Sequence, residues 1–212
     1  MKLDDLKGKY DYVISLGAAC QTTYQLQRNG LRTISGPIDW LVTNSLHKLN
    51  LALLDKFICI MDKGSLKYEG EHEGKLKMHD TLNDMLSVHD FSKEIGFEKS
   101  YENFKEKLDR RIQRFFDILK EAETILFVRT QAYSIDELWM LRMILKIHTK
   151  AKFKILAVNY TIDHKIIECN WGIEDVCVVE IPSPSDRWQG DDDAWERMLS
   201  GISLKNKPDK ND

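Results

Sequence analysis

The apolar positions of the chain follow two rhythms. Short, nearly continuous apolar runs predict buried strands at Tyr12-Val13-Ile14-Ser15-Leu16, Thr124-Ile125-Leu126-Phe127-Val128, Lys154-Ile155-Leu156-Ala157-Val158 and Val176-Cys177-Val178-Val179-Glu180-Ile181. Segments with a helical period lie between them. Cys20 to Arg28 holds no Gly or Pro and stops at Asn29-Gly30, a helix terminator. Ser45 to about Asp55 predicts a second helix. Tyr101, Phe104, Leu108, Ile112, Phe115 and Leu119 recur at three- and four-residue steps, marking one face of a long helix that begins near Ser100. Ser134-Ile135-Asp136-Glu137 is a capping box opening a helix to about His148, and Trp195, Met198, Leu199 and Ile202 mark a closing helix.

Strands alternating with helices predict an α/β fold: a mainly parallel sheet with helices on both faces, a Rossmann/SGNH-like three-layer arrangement. The rhythm fails between about 57 and 97, where Gly64, Gly70, Gly74 and the histidines His72, His79 and His89 occur. This segment reads as an irregular insertion after the second helix, with a small hairpin, packed over the strand ends. Residues 1–204 then form a single α/β domain and 205–212 a disordered polar tail.

Composition narrows the function classes. Of 212 residues, 42% are apolar and 31% charged, with a net charge of -3, so neither nucleic acid nor an anionic membrane is the expected partner. No apolar run approaches the ~18 residues that cross a bilayer, and the charged start Met1 to Lys7 lacks the apolar core of a secretory signal. Four cysteines without CxxC or zinc-like spacing point to reduced thiols and a cytoplasmic protein. No P-loop, GxGxxG or HExxH occurs, so neither cofactor nor metal is expected, and Asp191-Asp192-Asp193 reads as acid at a helix start.

The candidate chemistry centres on Cys20, where the first strand turns into the first helix. A thiol at a helix amino terminus faces unpaired N–H groups and the positive end of the dipole, which favour the nucleophilic thiolate and can hold an oxyanion. It predicts that Cys20 labels faster than Cys59, Cys169 or Cys177. Gly17 and Ala19 would let a substrate approach the backbone, with Trp40 as an aromatic wall. A base is needed, usually histidine. His89, between Val88 and Phe91, is the preferred one, with His79 in the similar Met78-His79-Asp80 as the alternative. Asp39 in Pro37-Ile38-Asp39-Trp40, or Asp90, could orient it, and Asp39 could equally cap a turn. Arg129 and Asn159 also fall at strand ends, where α/β sites form, and Arg129 there calls for a carboxylate or a substrate anion.

These residues resemble a known family. Ser15-Leu16-Gly17-x-x-Cys20, Gly30-Leu31-Arg32 with Ser35, Pro37-Ile38-Asp39-Trp40, His89-Asp90-Phe91, Arg110-Arg111-Ile112-x-Arg114-Phe115 and Leu126-Phe127-Val128-Arg129 are similar to DUF1796, a bacterial family described as papain-like cysteine peptidases. Ile38 stands where that family more often has phenylalanine. The resemblance implies a cysteine hydrolase with Cys20 as nucleophile, His89 as base, and Asp39 or Asp90 as third member. The substrate would be a peptide, ester or glycan-linked compound. A nucleophile directly after the first strand also looks like the GDSL/SGNH hydrolases, with Cys for Ser, which would make the chain an esterase or acyltransferase. Their Asp-x-x-His pair has no counterpart, since Asp192-Asp193-Ala194-Trp195 occupies that region. A non-catalytic α/β module anchoring an anionic ligand on Arg129 is the remaining reading.

Overall fold

The structure, a computed structural model, describes residues 1–183 and 187–206. The amino-terminal part holds β1 (Gly8–Tyr10), β2 (Tyr12–Ser15), α1 (Cys20–Arg28), β3 (Leu41–Thr43) and α2 (Leu46–Leu54). The middle holds β4 (Leu66–His72), β5 (Lys75–Asp80), β6 (Met85–Ser92) and the long α3 (Phe97–Glu121). Then follow β7 (Thr124–Thr130), α4 (Ile135–His148), β8 (Lys152–Thr161), β9 (Ile167–Cys169), β10 (Val176–Pro182), α5 (Asp192–Leu199) and β11 (Ile202–Leu204).

The fold is mixed α/β. The principal sheet runs β2-β7-β8-β10-β9, parallel throughout except for β9 at the edge. Side chains alternate between two cores along each strand, as the pleat demands. Ile125 and Phe127 face a core built with α2, α3 and α4, whereas Leu126 and Val128 face one built with α1 and α5. Ser134 caps α4 by accepting from Glu137 N, and Asp191 caps α5 by accepting from Ala194 N. The parallel pair β1-β11 is a small sheet of its own. Among the described residues no helix is long and apolar enough to cross a membrane.

The segment expected to be irregular is instead ordered. β4, β5 and β6 join β3 in a four-stranded antiparallel sheet, β3-β6-β5-β4. Its period-two signal is hidden for physical reasons. β4 is almost wholly exposed and carries Lys67, Glu69 and Glu71, which suit an edge that must not pair with other chains. β5 and β6 are interrupted by a bulge: Met78 pairs with Ser87 but Leu76 pairs with Phe91, so Val88, His89 and Asp90 arch out of the ladder. Met78, Met85 and Phe91 still reach the common core, where Phe91 meets Phe104 of α3. Of the expected tail, residues 207–212 lie outside the described part, while Lys205 donates its backbone N–H to Tyr10 O.

The second core holds a thiol whose burial is measurable. Cys177 on β10 is fully buried, and burial pushes its pKa from 9.0 up to about 12. Below about 9 the thiol is neutral in both folded and unfolded chains. Above that, the unfolded chain releases the proton while the folded one keeps it, so stability falls as pH rises toward 12. Urea unfolding is expected to show this decline between neutral pH and about pH 10.5, and Cys177→Val to flatten part of it. An unchanged slope in that variant would remove the thiol as its source.

Candidate active site

The turn between β2 and α1 is built by residues distant in sequence. Gly17 has φ +81, and a Cβ there would lie 2.6 Å from Thr43 Oγ1 and 2.9 Å from an Arg129 guanidinium nitrogen. Only glycine fits both demands. The Gly17–Ala18 peptide is cis. Its oxygen and N–H, and the next carbonyl at Ala18, are all engaged. Thr22 and Thr130 hydroxyls donate to Gly17 O at 2.8 and 3.1 Å, Ala18 N donates to Thr130 Oγ1 at 2.9 Å, and Thr43 N donates to Ala18 O at 2.6 Å. Arg129, fully buried, donates to Leu16 O and Thr43 O, both at 2.8 Å, and to Thr43 Oγ1.

Cys20 therefore begins α1 on a fixed platform. Ala19, half-buried, is the N-cap and has no side chain to occupy the first-turn N–H groups. Among the described residues no side chain caps those groups, in contrast to α2, α4 and α5, whose Ser45, Ser134 and Asp191 caps fill one each. The thiol is 8% exposed and donates to Trp40 O at 3.8 Å. Burial pushes it up from the ordinary thiol range, its own backbone N–H pulls it down, and the charges of Asp90 and Asp39 push it further up. At rest it is a protonated thiol, and the helix terminus alone does not make it a thiolate. The rapid labelling expected from the helix position is thus opposed by burial.

The other candidates separate into two groups. Asp90 lies near enough to raise the thiol, and Ser87 Oγ holds it with a 2.6 Å hydrogen bond from within the same β6 bulge. His89 shares that bulge but is exposed, contrary to the expectation that Val88 and Phe91 bury it. Bulge residues alternate outward, so Phe91 enters the core while the imidazole does not. Trp40 flanks Cys20 through its carbonyl, its indole lying 6.0 Å from the Arg32 guanidinium.

The remaining residues are occupied elsewhere. Both His79 nitrogens meet carboxylates, Glu69 of β4 at 2.7 Å and Asp84 of the β5–β6 turn at 3.1 Å. Asp39 is buried and holds its own loop. Its Oδ2 accepts from Arg32 Nε and Nη2 at 3.1 and 3.0 Å and from Gly36 N at 3.0 Å. Burial pushes its pKa up and Arg32 opposes the shift. Arg129 was expected to meet a carboxylate or a ligand; its hydrogen-bond partners are backbone carbonyls and a hydroxyl. Burial lowers its pKa to about 10. Asn159 spends both ends of its amide on Ala132, accepting from the N–H at 2.8 Å and donating to the carbonyl at 3.0 Å. The space at Gly17 is likewise filled by Thr43 and Arg129, not left for a substrate.

Three threonines of the platform, Thr22, Thr43 and Thr130, were not singled out by sequence reasoning, because a threonine's usual place in a strand or helix announces no such role. Beside the thiol, Gln21 links Tyr160, whose hydroxyl it accepts, to Trp188 O at 3.1 Å, and Trp188 packs edge-on against Tyr24 at 5.4 Å. Among the described residues no group of three His, Cys, Asp or Glu is placed to hold a metal ion.

A thiol at the first position of a helix, at the junction of a parallel and an antiparallel sheet, defines a mixed α/β protein with one candidate nucleophile. The chain belongs to the family described as "Putative papain-like cysteine peptidase (DUF1796)", which it matches over residues 11–165. That span contains Cys20, Asp39, Trp40, His89, Asp90, Arg129 and Asn159 and stops before β10. A viral relative, "Uncharacterized protein R408" of Acanthamoeba polyphaga mimivirus, is 27% identical over 135 residues, covering 56% of this chain and 60% of the viral protein. The chain thus spans about 60% of the length of that curated relative. No solved structure matches the chain, and the fold stands as mixed α/β, not as a Rossmann or SGNH arrangement.

Proposed function

We propose that this chain is a cysteine-dependent hydrolase with Cys20 as nucleophile, acting on a peptide bond or a related acyl linkage. The observation that carries the reading is the uncapped start of α1, where Cys20 sits among free N–H groups on a braced turn. Attack by the thiolate on an acyl carbon would place the developing oxyanion on those N–H groups. The resting thiol is protonated, so a base must take its proton as the carbon–sulfur bond forms. His89 is the proposed base, brought from the β6 bulge, with Asp90 beside it as the carboxylate that stabilises the imidazolium. Asp90 is preferred to Asp39, whose carboxylate is committed to Arg32.

A second reading, a binding module without catalysis, is favoured by one observation: the hydrogen bond of Cys20 goes to Trp40 O and not to a histidine. The two readings part on covalent chemistry. A peptidyl chloromethyl ketone is expected to alkylate Cys20 in preference to the exposed Cys59, whereas small iodoacetamide is expected to prefer Cys59. Cys20→Ala should abolish the peptidyl adduct, and His89→Ala should slow it about a hundredfold. An adduct formed equally well without His89 would sink the base assignment. No adduct on Cys20 in the wild type would leave the binding module standing.

A further inference from the structure

Strand β6 carries a polar residue where its pattern calls for an apolar one. Met85, Ser87 and Phe91 are all fully buried, and Met85 and Phe91 belong to the apolar core. A buried hydroxyl costs stability unless it is hydrogen-bonded. Ser87 spends its hydroxyl twice on one residue. It donates to Asp90 Oδ2 at 2.6 Å and accepts the Asp90 backbone N–H at 3.3 Å. Ser87 is also the last residue of β6 in register before the bulge, paired with Met78 of β5 on one side and Leu41 of β3 on the other. Val88, His89 and Asp90 thus arch away from a fixed point, and the carboxylate is tied back to it.

The same fixed point is linked to the thiol. Leu41 directly follows Trp40, whose carbonyl accepts the Cys20 thiol, and two residues on, Thr43 N donates to Ala18 O at 2.6 Å. The short β3 is therefore held by the Cys20 turn at both ends and by Ser87 through the ladder. On Asp90 the serine hydroxyl occupies one oxygen, and Oδ1 accepts no hydrogen bond among the described residues.

We infer that Ser87 is a positioning residue of the proposed hydrolase, holding Oδ2 of Asp90 so that Oδ1 is presented to the His89 imidazolium. The inference rests on the reading of Cys20, His89 and Asp90 given above. In that reading Sγ bonds to the acyl carbon, the carbonyl π pair moves to oxygen, and the thiol proton passes to His89. The imidazolium then gains a charge-assisted hydrogen bond to a carboxylate that is already oriented. Closing the bulge needs only the Asp90 N–H; the shorter bond, to the carboxylate, is the one that orients. Ser87 acts on the reaction through Asp90 alone.

The test is the rate at which the peptidyl chloromethyl ketone alkylates Cys20, followed by mass spectrometry across a range of reagent concentrations. In that reaction Sγ displaces chloride from the methylene while His89 takes the thiol proton. Ser87→Ala is expected to lower the saturating rate about tenfold and to leave the half-saturating concentration within about twofold. Ser87→Thr keeps the hydroxyl and should restore most of the rate, whereas Ser87→Cys keeps the volume with a weaker donor and should not. Asp90→Asn should slow alkylation by itself, and Ser87→Ala added to it should cost little more, since the two act as a unit. Should Ser87→Ala fold poorly by circular dichroism, the threonine and cysteine variants decide, and equal rates in those two overturn the inference. So does a wild-type saturating rate in Ser87→Ala, a change confined to the half-saturating concentration, or full additivity with Asp90→Asn; each of these leaves the hydrolase reading intact. A wild type that forms no Cys20 adduct overturns both.

Discussion

Replacing Asp80 by alanine is expected to lower stability by about 4 kcal/mol. The residue is fully buried at the end of β5. Its Oδ2 accepts from Met61 N at 2.7 Å and from Asn83 Nδ2 at 2.8 Å. Its Oδ1 accepts from Ser65 Oγ at 2.7 Å and from the backbone N–H groups of Leu82 and Asn83 at 3.1 and 3.3 Å. One carboxylate thus ties the chain after α2 to the turn between β5 and β6. Each buried donor left unpaired costs about 1–3 kcal/mol, and the exposed turn at Leu82 can recover part of this from water. Asp80→Asn keeps one acceptor oxygen but turns an NH2 toward N–H donors, so about half the loss is expected. Urea unfolding measures both. If Asp80→Ala melts no earlier than an alanine at exposed Glu73, the hub is misread. The consequence reaches the site, because β6 and its bulge pair directly with β5.

Arg129→Met is expected to cost about 3 kcal/mol and to reduce alkylation of Cys20 by the peptidyl ketone in the folded protein. Two effects compete. Burial depresses the guanidinium from 12.5 to about 10, so holding it charged costs on the order of 3 kcal/mol, which methionine would relieve. Against this, methionine takes the guanidinium donors from Leu16 O and Thr43 O, at about 1–3 kcal/mol each, leaves the Thr43 hydroxyl with its 3.5 Å bond to Ala18 O, and leaves Gly17 without its guanidinium neighbour. The stranded acceptors win. Arg129→Lys keeps a charge, but one ammonium cannot span both carbonyls, so an intermediate loss is expected. Wild-type stability in Arg129→Met would show that the brace carries no load.

What the residues disclosed in advance divides along a physical line. Features set within a few residues were legible: the helix stop at Asn29-Gly30, the Ser134 cap and the continuous runs of β7, β8 and β10 all reflect local chemistry. The position of Cys20 at a strand-to-helix turn was legible for the same reason. The antiparallel sheet was not, since β4 exposes both faces and the β6 bulge destroys the alternation that would reveal a strand. Arg129 and Asn159 were placed correctly at strand ends, but the carboxylate or substrate anion expected for Arg129 is replaced by backbone carbonyls and a hydroxyl. A charged or amide side chain suggests a charged or polar counterpart, whereas both residues satisfy backbone groups, which residue identity does not encode. His89 illustrates the converse: its apolar neighbours in sequence do not bury it, because neighbours on a bulge need not share a face.

The platform under Cys20 has a consequence in time. The cysteine and its glycine are encoded in the first twenty residues, yet the turn is held by Thr43, and then by Arg129 and Thr130. A ribosome that has made Cys20 must still make more than a hundred residues before the brace exists, and the β6 bulge arrives between the two. The turn is encoded before the residues that brace it, so a chain interrupted ahead of β7 carries the cysteine without that brace.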